Sequence, residues 1–409
     1  MPLLRLVAMA GPLRISAPLI DPLHPTQGNM VKALHVCQAY LPYIGGASLR
    51  LHNLLRLLAQ AGTCELHVLT TVRFSAERGG RDCSPAQEVI DGVHVHRVDS
   101  DTLLLPASFR LARKHRFDLL HGHNLRPALL GHLGAPWLPL IVELHASPKS
   151  GCLREWCYRR LHRRAAGAVA LSPALAEELI DRYRLDSSRV AVVRNGVNLS
   201  AYARPARGEE VRRRHGLEAR QVVGYVGSLY RWQGVYDLVQ ASVSVLRQEP
   251  QTRFLIAGHN PDHEQLVREA QRLGVSDRVL FPGRIAPEEV PDYLAALDIF
   301  VIPRPSTPAT ETAIPLKVVE AMAAGKAIVA TRVGGLTAVL ENDRTALLAE
   351  PGNPEALADT ILTLLRDPER RESLGSNARA TVSNSAEWSW ETASGRLLRF
   401  YNTILGTNG

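Results

Sequence analysis

The amino-acid sequence predicts an α/β protein built from two doubly wound, Rossmann-like domains that face each other across a central cleft. The chain has 409 residues, which is more than a single hydrophobic core usually serves. Short β-branched runs alternate with helical stretches, as in ALHVCQAY followed by SLRLHNLLRLLAQAG, and this alternation is typical of a parallel sheet with helices on both faces. It begins again after a polar, proline-containing stretch near residues 200–220, so a second sheet is expected.

The chain is predicted to contain an N-terminal extension and two domains. Residues 1–29 carry five prolines and no clear periodicity, so we expect a poorly ordered extension. Met30 opens the first strand pattern, and residues 30–210 are predicted to form the first domain. Residues 211–385 are predicted to form the second, whose short apolar strands are bounded by Gly or Pro. Because doubly wound sheets bind ligands outside the carboxyl ends of their strands, the binding site is expected between the domains.

The composition excludes several classes of protein. The chain is 45% apolar and 22% charged, which is ordinary for a globular protein. No apolar run approaches the roughly 18–20 residues that span a bilayer, and the first residues are too interrupted for a signal peptide. The cysteines form no CxxC pair, so neither a zinc site nor a disulfide framework is indicated, and a cytoplasmic location is predicted. They are Cys37, Cys64, Cys83, Cys152 and Cys157.

The charge is uneven along the chain. Residues 1–205 hold 25 Lys and Arg against 15 Asp and Glu, whereas the remainder holds 23 against 25. This excess indicates an anionic partner such as a membrane surface, a lipid-linked phosphate or an acidic glycan, although a solvated arginine-rich surface gives the same count. The segment LREWCYRRLHRRAAG is typical either of a helix attached to anionic lipids or of an ordinary exposed helix. Nucleic acid is not an expected partner, because the basic residues are not interleaved with aromatic ones.

The first candidate site is a glycine pair that follows the first strand. Gly45 and Gly46 open a helix, where their backbone can approach a phosphate closely and the helix N-terminus adds a favourable field. A strand-to-helix turn also needs glycine for packing, so the pair alone does not decide between the two roles.

The second candidate site is the stretch ETAIPLKVVEAMAAGK. Pro315 suits the start of a helix and leaves the following N–H groups free for a diphosphate, with Lys317 on the same turn. Glu320 lies about one turn further, where a carboxylate can accept hydrogen bonds from two ribose hydroxyls. Glu311 precedes the helix and is expected to reach a donor sugar. Because Glu320 sits in an apolar part of the pattern, it is not expected to be a merely solvated charge.

These segments, in this order, resemble the retaining glycosyltransferases of family 4, which have the GT-B fold. The resemblance extends from Met30 over nearly the whole chain and includes FDLLHGHN, LSPALAEEL, RNGVNLSAYA, GYVGSL, FLIAG, FPGRI and PGNPEALADTILTLLRDPERRESLG with WSWE. It implies a nucleotide-diphosphate-sugar donor, a glycan or lipid-linked acceptor, transfer with retention, and no metal cofactor. It also implies that a C-terminal helix within residues 386–409 returns to the first domain.

The resemblance assigns roles to particular residues. Glu320 matches the ribose-binding glutamate, and His145 matches the histidine beside the transferred sugar. At the diphosphate, the matches are the backbone of Leu316 and Lys317 and the glycine pair Gly45 and Gly46. At the nucleotide base, the matches are Arg284 and Ile285.

Two departures from the family pattern concern charge. The family usually has an Arg and a Lys on the diphosphate where this chain has Ser228 and Gln233. Ser228 is still expected to contact the donor. Arg231, Lys317 and Arg304 are expected to restore the positive field. Lys317 and Arg231 are therefore the candidates for stabilising the departing diphosphate.

A third departure concerns the first glutamate of the helix motif. The family carries it eight residues before Glu320, where this chain has Thr312, and Glu311 is the acid here. This pattern resembles a subgroup associated with bacterial exopolysaccharide assembly, which implies a role in cell-surface polysaccharide synthesis at the inner face of the plasma membrane. The alternatives are a non-catalytic nucleotide-sugar-binding protein, or an epimerase or phosphorylase of the same fold.

No metal site is predicted. The pairs His94/His96 and His121/His123 each have the spacing that places both side chains on one face of a strand, but the sequence shows no third ligand. The triplet Asp99-Ser100-Asp101 resembles the metal-binding DxD of the other major glycosyltransferase fold, and we interpret it as a solvated turn.

Overall fold

The computed structural model describes residues 30–72, 84–148, 151–203, 206–258 and 262–407. The extension predicted for residues 1–29 lies outside them. The described residues form two sheets, one of eight strands and one of six, with helices on both faces. The prediction of an α/β fold with two Rossmann-like domains is confirmed. None of the helices in the described ranges is long and apolar enough to cross a membrane.

The first sheet has the strand order β3-β4-β2-β1-β5-β6-β7-β8, and only the edge pair β3–β4 is antiparallel. Strand β1 lies between β2 and β5, so the strand order reverses there, which is where doubly wound sheets bind ligands. The strands are β1 (Val31–Val36), β2 (Cys64–Thr71), β3 (Gln87–Ile90), β4 (Val93–Val98), β5 (Leu119–His123), β6 (Leu140–Leu144), β7 (Gly167–Ala170) and β8 (Val190–Val192).

The second sheet is entirely parallel, with the order β11-β10-β9-β12-β13-β14 and a reversal at β9. Its central strands are buried on both faces, as their uninterrupted apolar sequences require. The strands are β9 (Val222–Val226), β10 (Arg253–Ala257), β11 (Val279–Gly283), β12 (Ile299–Ile302), β13 (Ala327–Thr331) and β14 (Leu347–Ala349).

Helices connect these strands and cover both sheets. Those of the first domain are α1 (Gly46–Gln60), α2 (Leu104–His115), α3 (Leu125–Gly134), α4 (Cys152–Arg164), α5 (Pro173–Tyr183) and α6 (Leu199–Ala203). Those that follow are α7 (Gly208–Arg214), α8 (Val235–Gln248), α9 (His263–Arg272), α10 (Val290–Ala295), α11 (Pro308–Thr312), α12 (Leu316–Ala323), α13 (Gly334–Thr337), α14 (Pro354–Leu365), α15 (Pro368–Ser383) and α16 (Trp390–Leu405).

The last helix, α16, packs on the first domain. Its apolar face, which includes Trp390, Leu397 and Tyr401, belongs to the same buried cluster as residues of α1, β1 and β2. The hydroxyl group of Ser394 donates a hydrogen bond to the carbonyl of Leu54 in α1, 3.2 Å away. The chain thus crosses between the domains twice.

Candidate active site

The glycine pair of the first domain faces the start of α12 in the second. Gly45 is the N-cap of α1, and a Cβ atom built on Gly46 would lie 3.9 Å from Cδ1 of Leu316. Leu316 in turn packs against the buried cluster of the first domain. The structure therefore brings together, across the cleft, the two loops that the sequence singled out.

Three hydrogen bonds join the segment before α12 to the first domain. The backbone N–H of Ser147 donates to the hydroxyl of Thr312 (2.9 Å), and the hydroxyl of Ser172 donates to the Thr312 carbonyl (2.7 Å). The side-chain amide of Asn195 donates to the carbonyl of Ile314 (2.8 Å). These bonds fix the segment that leads into α12 against the first domain.

Helix α12 starts with an uncapped turn. Pro315 is its N-cap, one position before the first helical residue, and it provides no side-chain cap. Within the described residues, the backbone N–H groups of Leu316 and Lys317 donate to no acceptor. Unpaired N–H groups at a helix N-terminus, together with the helix dipole, favour an anion.

The side chain of Lys317 makes its polar contacts within the second domain. It donates to the hydroxyl of Tyr225 and to Oε1 of Gln233 (3.1 Å), and it sits 4.3 Å from the centre of the Tyr225 ring. Burial, helped by the positive charge of Arg304, holds the pKa of Lys317 well below its usual range. Gly227 has a φ of +145°, and a Cβ there would come within 2.8 Å of the ammonium nitrogen. The position of Lys317 therefore depends on this glycine.

Arg304 supplies a second buried cation at the same place. Its guanidinium is 3% exposed, donates to the carbonyl of Ala313 (3.0 Å) and to Oε1 of Gln233 (3.4 Å), and lies over the ring of Trp232. Burial lowers its pKa to about 10. The Gln233 amide oxygen thus accepts from both Arg304 and Lys317. This explains the departure from the family pattern, because a lysine at position 233 would bring a third cation into one buried space.

Arg231 has a different environment from the one expected. Its backbone N–H bonds Asp262 (2.9 Å), and its guanidinium lies over the Tyr236 ring, 4.9 Å from its centre. None of these contacts involves Lys317. The second cation that lies near Lys317 is Arg304, because both side chains donate to Oε1 of Gln233. The Arg231 side chain borders a cavity of about 650 Å³ within the second domain, whose lining also includes Gln265, Glu269, Pro305 and Thr307.

Three other predicted donor contacts lie at the carboxyl ends of second-domain strands. Ser228 follows β9, and its carbonyl accepts a hydrogen bond from the Tyr225 hydroxyl (2.7 Å). Arg284 and Ile285 follow β11; Arg284 is exposed, and Ile285 packs against the core of the domain. All three therefore lie at the edge of the sheet where a ligand is expected.

Glu320 is a half-buried carboxylate one turn into α12. It accepts no hydrogen bond from any described residue. Burial raises the pKa of its carboxyl group to about 7, and the positive charge of Lys317 opposes this shift only in part. A carboxylate that is desolvated and left without donors is available to hydroxyl groups of a ligand.

Glu311 stands one residue before the position at which the family carries its first acid, and its contacts differ accordingly. Glu311 accepts from the backbone N–H of Gly334 (2.6 Å) and from the hydroxyl of Ser306 (2.7 Å), so its carboxylate is held within the second domain at the start of α13. Thr312, at the family position, instead bonds Ser147 across the cleft. The contact of Glu311 with a donor sugar remains a prediction.

His145 lies on the first-domain side of the cleft, directly after β6. Its Nε2 bonds Oε1 of Glu143 (2.9 Å), which also accepts from Nε of Arg50 (3.1 Å). Glu143 and Arg50 are each 1% exposed, and Arg50 also donates to the Val193 carbonyl (2.8 Å) and the side chain of Asn195 (3.1 Å). Burial acts to raise the pKa of Glu143, but Arg50 and the neighbouring histidines hold it well below its usual range.

The sequence analysis missed this pair, although one signal was available. A glutamate inside the apolar run LIVELH has no solvent to face in a central strand, so it requires a buried partner. The partner, Arg50, lies 93 residues away, and spacing alone does not identify it.

A group of buried histidines surrounds Glu143. His121 and His123 stack with ring centres 4.6 Å apart, His35 bonds His123 (3.0 Å), and the Tyr401 hydroxyl of α16 bonds Nδ1 of His121 (2.7 Å). Burial is the main reason that the pKa of each of these histidines is lowered. They are therefore neutral at physiological pH.

The expectation that the histidine pairs lack a third ligand is wrong. His35 stands beside His121 and His123 with donor atoms close enough to share an ion. The second pair, on β4, is joined by further histidines from β2 and α2. The sequence does not show this, because strand register and a helix end bring these side chains together.

Comparisons with known proteins agree with this architecture. Residues 44–201 match the family described as Glycosyltransferase Family 4, and residues 208–381 match Glycosyl transferases group 1. The chain is 28% identical over 396 residues to a D-inositol 3-phosphate glycosyltransferase of Nocardia farcinica, covering 84% of this chain and 85% of that protein.

Solved structures have the same fold. The structure of Anabaena Alr3699/HepE in complex with UDP and glucose superposes with a TM-score of 0.75 at 22% identity, covering 91% of this chain and all of that one. WaaG, a glycosyltransferase involved in lipopolysaccharide biosynthesis, gives a TM-score of 0.70 at 17% identity, covering 90% and 99%.

The two Rossmann-like domains and the two family matches, which together span most of the chain, identify a glycosyltransferase of the GT-B class. The chain belongs to the family 4 glycosyltransferases.

Proposed function

We propose that the protein is a retaining, metal-independent hexosyltransferase that uses a nucleotide-diphosphate sugar to extend a glycan or lipid-linked acceptor in cell-surface polysaccharide synthesis. The observation that carries the proposal is the start of α12. Its first backbone N–H groups are unpaired, the buried cationic side chains of Lys317 and Arg304 lie beside it, and the carboxylate of Glu320, which accepts no hydrogen bond from a described residue, lies one turn further along the helix. This arrangement suits a diphosphate attached to a ribose. The likeness to WaaG, which is involved in lipopolysaccharide biosynthesis, supports the cell-surface role.

The chemistry follows from where charge develops. As the bond between the sugar C1 and the diphosphate oxygen breaks, negative charge collects on the leaving group, and the α12 N–H groups, Lys317 and Arg304 stabilise it. The acceptor hydroxyl forms its bond to C1 on the same face, and its proton passes to the departing phosphate oxygen. His145 orients the sugar or the acceptor through Nδ1, because its Nε2 is engaged by Glu143.

The acceptor side includes an exposed basic helix. Leu153 and Trp156 of α4 are 75% and 57% exposed, and the Arg160 guanidinium lies over the Trp156 ring. Apolar side chains exposed among arginines suit the interface of an anionic membrane, where a lipid-linked acceptor would be held. This supports a location on the inner face of the plasma membrane.

Vesicle binding tests the membrane part of the proposal. We expect the protein to sediment with vesicles that contain phosphatidylglycerol, and we expect the double variant Leu153→Ser/Trp156→Ser to lose this binding. Trp137→Ser is the control, because Trp137 is 53% exposed elsewhere on the same domain. Equal binding by the double variant and the control would refute membrane attachment through α4.

The central experiment is donor turnover by the purified protein. UDP-, GDP- and ADP-sugars are screened for nucleotide release and transfer, with and without EDTA, in the wild type and in Glu320→Ala. Glu372→Ala is the control, because Glu372 is an exposed acid on α15. Release that survives EDTA and falls only in Glu320→Ala supports the proposal. Donor binding without turnover would favour a non-catalytic protein, and a product without a new glycosidic bond, or turnover that requires inorganic phosphate, would favour an epimerase or phosphorylase.

A further inference from the structure

A cluster of imidazoles with one carboxylate lies at the amino end of the first sheet. We call it the edge cluster, and it consists of Glu65 and His67 on β2, His94 and His96 on β4, and His115 at the end of α2. The strand register sets His67 opposite His94. The His67 ring centre lies 4.5 Å from that of His94, 5.1 Å from that of His96 and 4.4 Å from that of His115.

Three nitrogen atoms of this cluster are buried without a hydrogen-bond partner. They are Nε2 of His67, whose side chain is 1% exposed, Nδ1 of His96 and Nε2 of His115. Oε1 of Glu65 lies 3.3 Å from Nε2 of His67 but outside hydrogen-bonding geometry, while Oε2 is paired with Lys32 at 2.7 Å. One donor atom each from Glu65, His67 and His115 lies within 4.8 Å of the other two. Buried polar atoms are normally satisfied, so these atoms point to a missing partner.

A hydrogen bond orients the central imidazole of the edge cluster. Nδ1 of His67 bonds Nε2 of His96 at 2.9 Å, which orients the His67 ring and directs its Nε2 toward Glu65. Metal-binding histidines are commonly oriented by a hydrogen bond of this kind.

We infer that the edge cluster binds one divalent cation of the zinc class, with Nε2 of His67, Nε2 of His115 and Oε1 of Glu65 as ligands. Two imidazoles and a carboxylate suit Zn²⁺, and His94 or water completes four-fold coordination. The buried group around His35 is the weaker candidate. Its histidines are joined to one another and to Tyr401 by hydrogen bonds, and the Arg50 guanidinium already compensates the nearby carboxylate.

The location makes this a structural site. In the sheet register, His67 is level with Leu34, Leu120 and Leu140, whereas His145 follows the far end of β6. His145 is five residue steps from Leu140, which corresponds to about 16 Å along the strand. A cation here would tie β2 to the end of α2 without touching the cleft. Chelation is therefore expected to lower the melting temperature without abolishing sugar transfer.

Zinc titration of the full-length, EDTA-treated and desalted protein tests the inference. We expect one Zn²⁺ per chain, a melting temperature that rises with Zn²⁺, and Co²⁺ absorption bands of a tetrahedral site. His115→Gln and Glu65→Gln are each expected to weaken Zn²⁺ binding at least about tenfold. His215→Gln is the control, because His215 lies in the second domain and bonds Tyr293.

Circular dichroism of each variant confirms that it is folded, which is expected because Glu65 and His115 are both partly exposed. The inference fails if the wild type binds no Zn²⁺. It also fails if His115→Gln and Glu65→Gln keep the affinity and stoichiometry of the His215→Gln control.

Discussion

Replacing Glu143 by glutamine removes the negative charge that compensates Arg50 in the core of the first domain. Both residues are 1% exposed, and Nε of Arg50 lies 3.1 Å from Oε1 of Glu143. Glutamine keeps the shape and one acceptor oxygen, so the main loss is the charge. Breaking a buried ion pair by removing one partner costs about 3–5 kcal/mol, because the other charge stays buried. Since a glutamine can still accept a hydrogen bond from Arg50, we expect the free energy of unfolding to fall by about 3 kcal/mol, the lower end of this range.

The expected cost is large enough to measure. For a domain of this size, 1 kcal/mol corresponds to about 2–4 °C, so Glu143→Gln should lower the melting temperature by about 6–12 °C. Glu155→Gln is the matched control, because Glu155 pairs with Arg182 at 2.7 Å with both side chains more than one fifth exposed. Exposed pairs contribute about 0–1 kcal/mol. A Glu143→Gln protein no less stable than the Glu155→Gln protein would refute the reasoning.

The same substitution also tests His145 through activity and pH. Glu143 fixes the His145 ring, so kcat should fall while the KM for the donor, whose proposed site lies in the second domain, changes less. The pKa of Glu143 is depressed in the folded state, so its stabilisation is present above the ordinary carboxyl pKa of about 4.3 and is lost as pH falls below it. The difference in stability between wild type and variant should therefore shrink as the solution is acidified below that value.

Two further predictions concern the donor site. Gly227→Ala should weaken donor binding and lower stability, because its φ is +145° and the added Cβ would lie within 2.8 Å of the Lys317 ammonium. Gly151→Ala, at a φ of +144° with no atom within 4 Å of the added Cβ, separates backbone strain from this contact. Glu320→Gln should raise the melting temperature more at pH 8.5 than at pH 4, because the folded-state pKa of about 7 lies above the ordinary carboxyl pKa of about 4.3, so that the wild type loses stability as pH rises between these two values. It should weaken donor binding at both pH values, and a variant with wild-type stability at pH 8.5 would contradict this.

The fold was predictable because its signals are local. Buried parallel strands such as β12 are continuous apolar runs, and the start of α12 is marked by Pro315. The sequence therefore predicted both the two sheets and the helix turn between them. The glycine pair and the α12 turn were also found, because each lies within one short segment.

The parts that escaped prediction depend on contacts between distant segments. Arg231 and Arg304 were both expected to restore the field of the lost basic pair, and the sequence did not decide between them; in the structure Arg304, which follows β12, shares Oε1 of Gln233 with Lys317. Glu143 and Arg50 are paired through the sheet and α1. These contacts depend on how distant segments pack together, and neither hydrophobic periodicity nor motif spacing in the sequence reveals them.

The return of α16 to the first domain has a consequence for biosynthesis. Trp390, Leu397 and Tyr401 complete the apolar cluster that includes Val31, yet the ribosome makes them after the strands of the second domain. The first domain can therefore finish folding only after the second domain has been synthesised between its two parts. Chaperones would meet a nascent chain whose earliest strands expose apolar surface for most of translation.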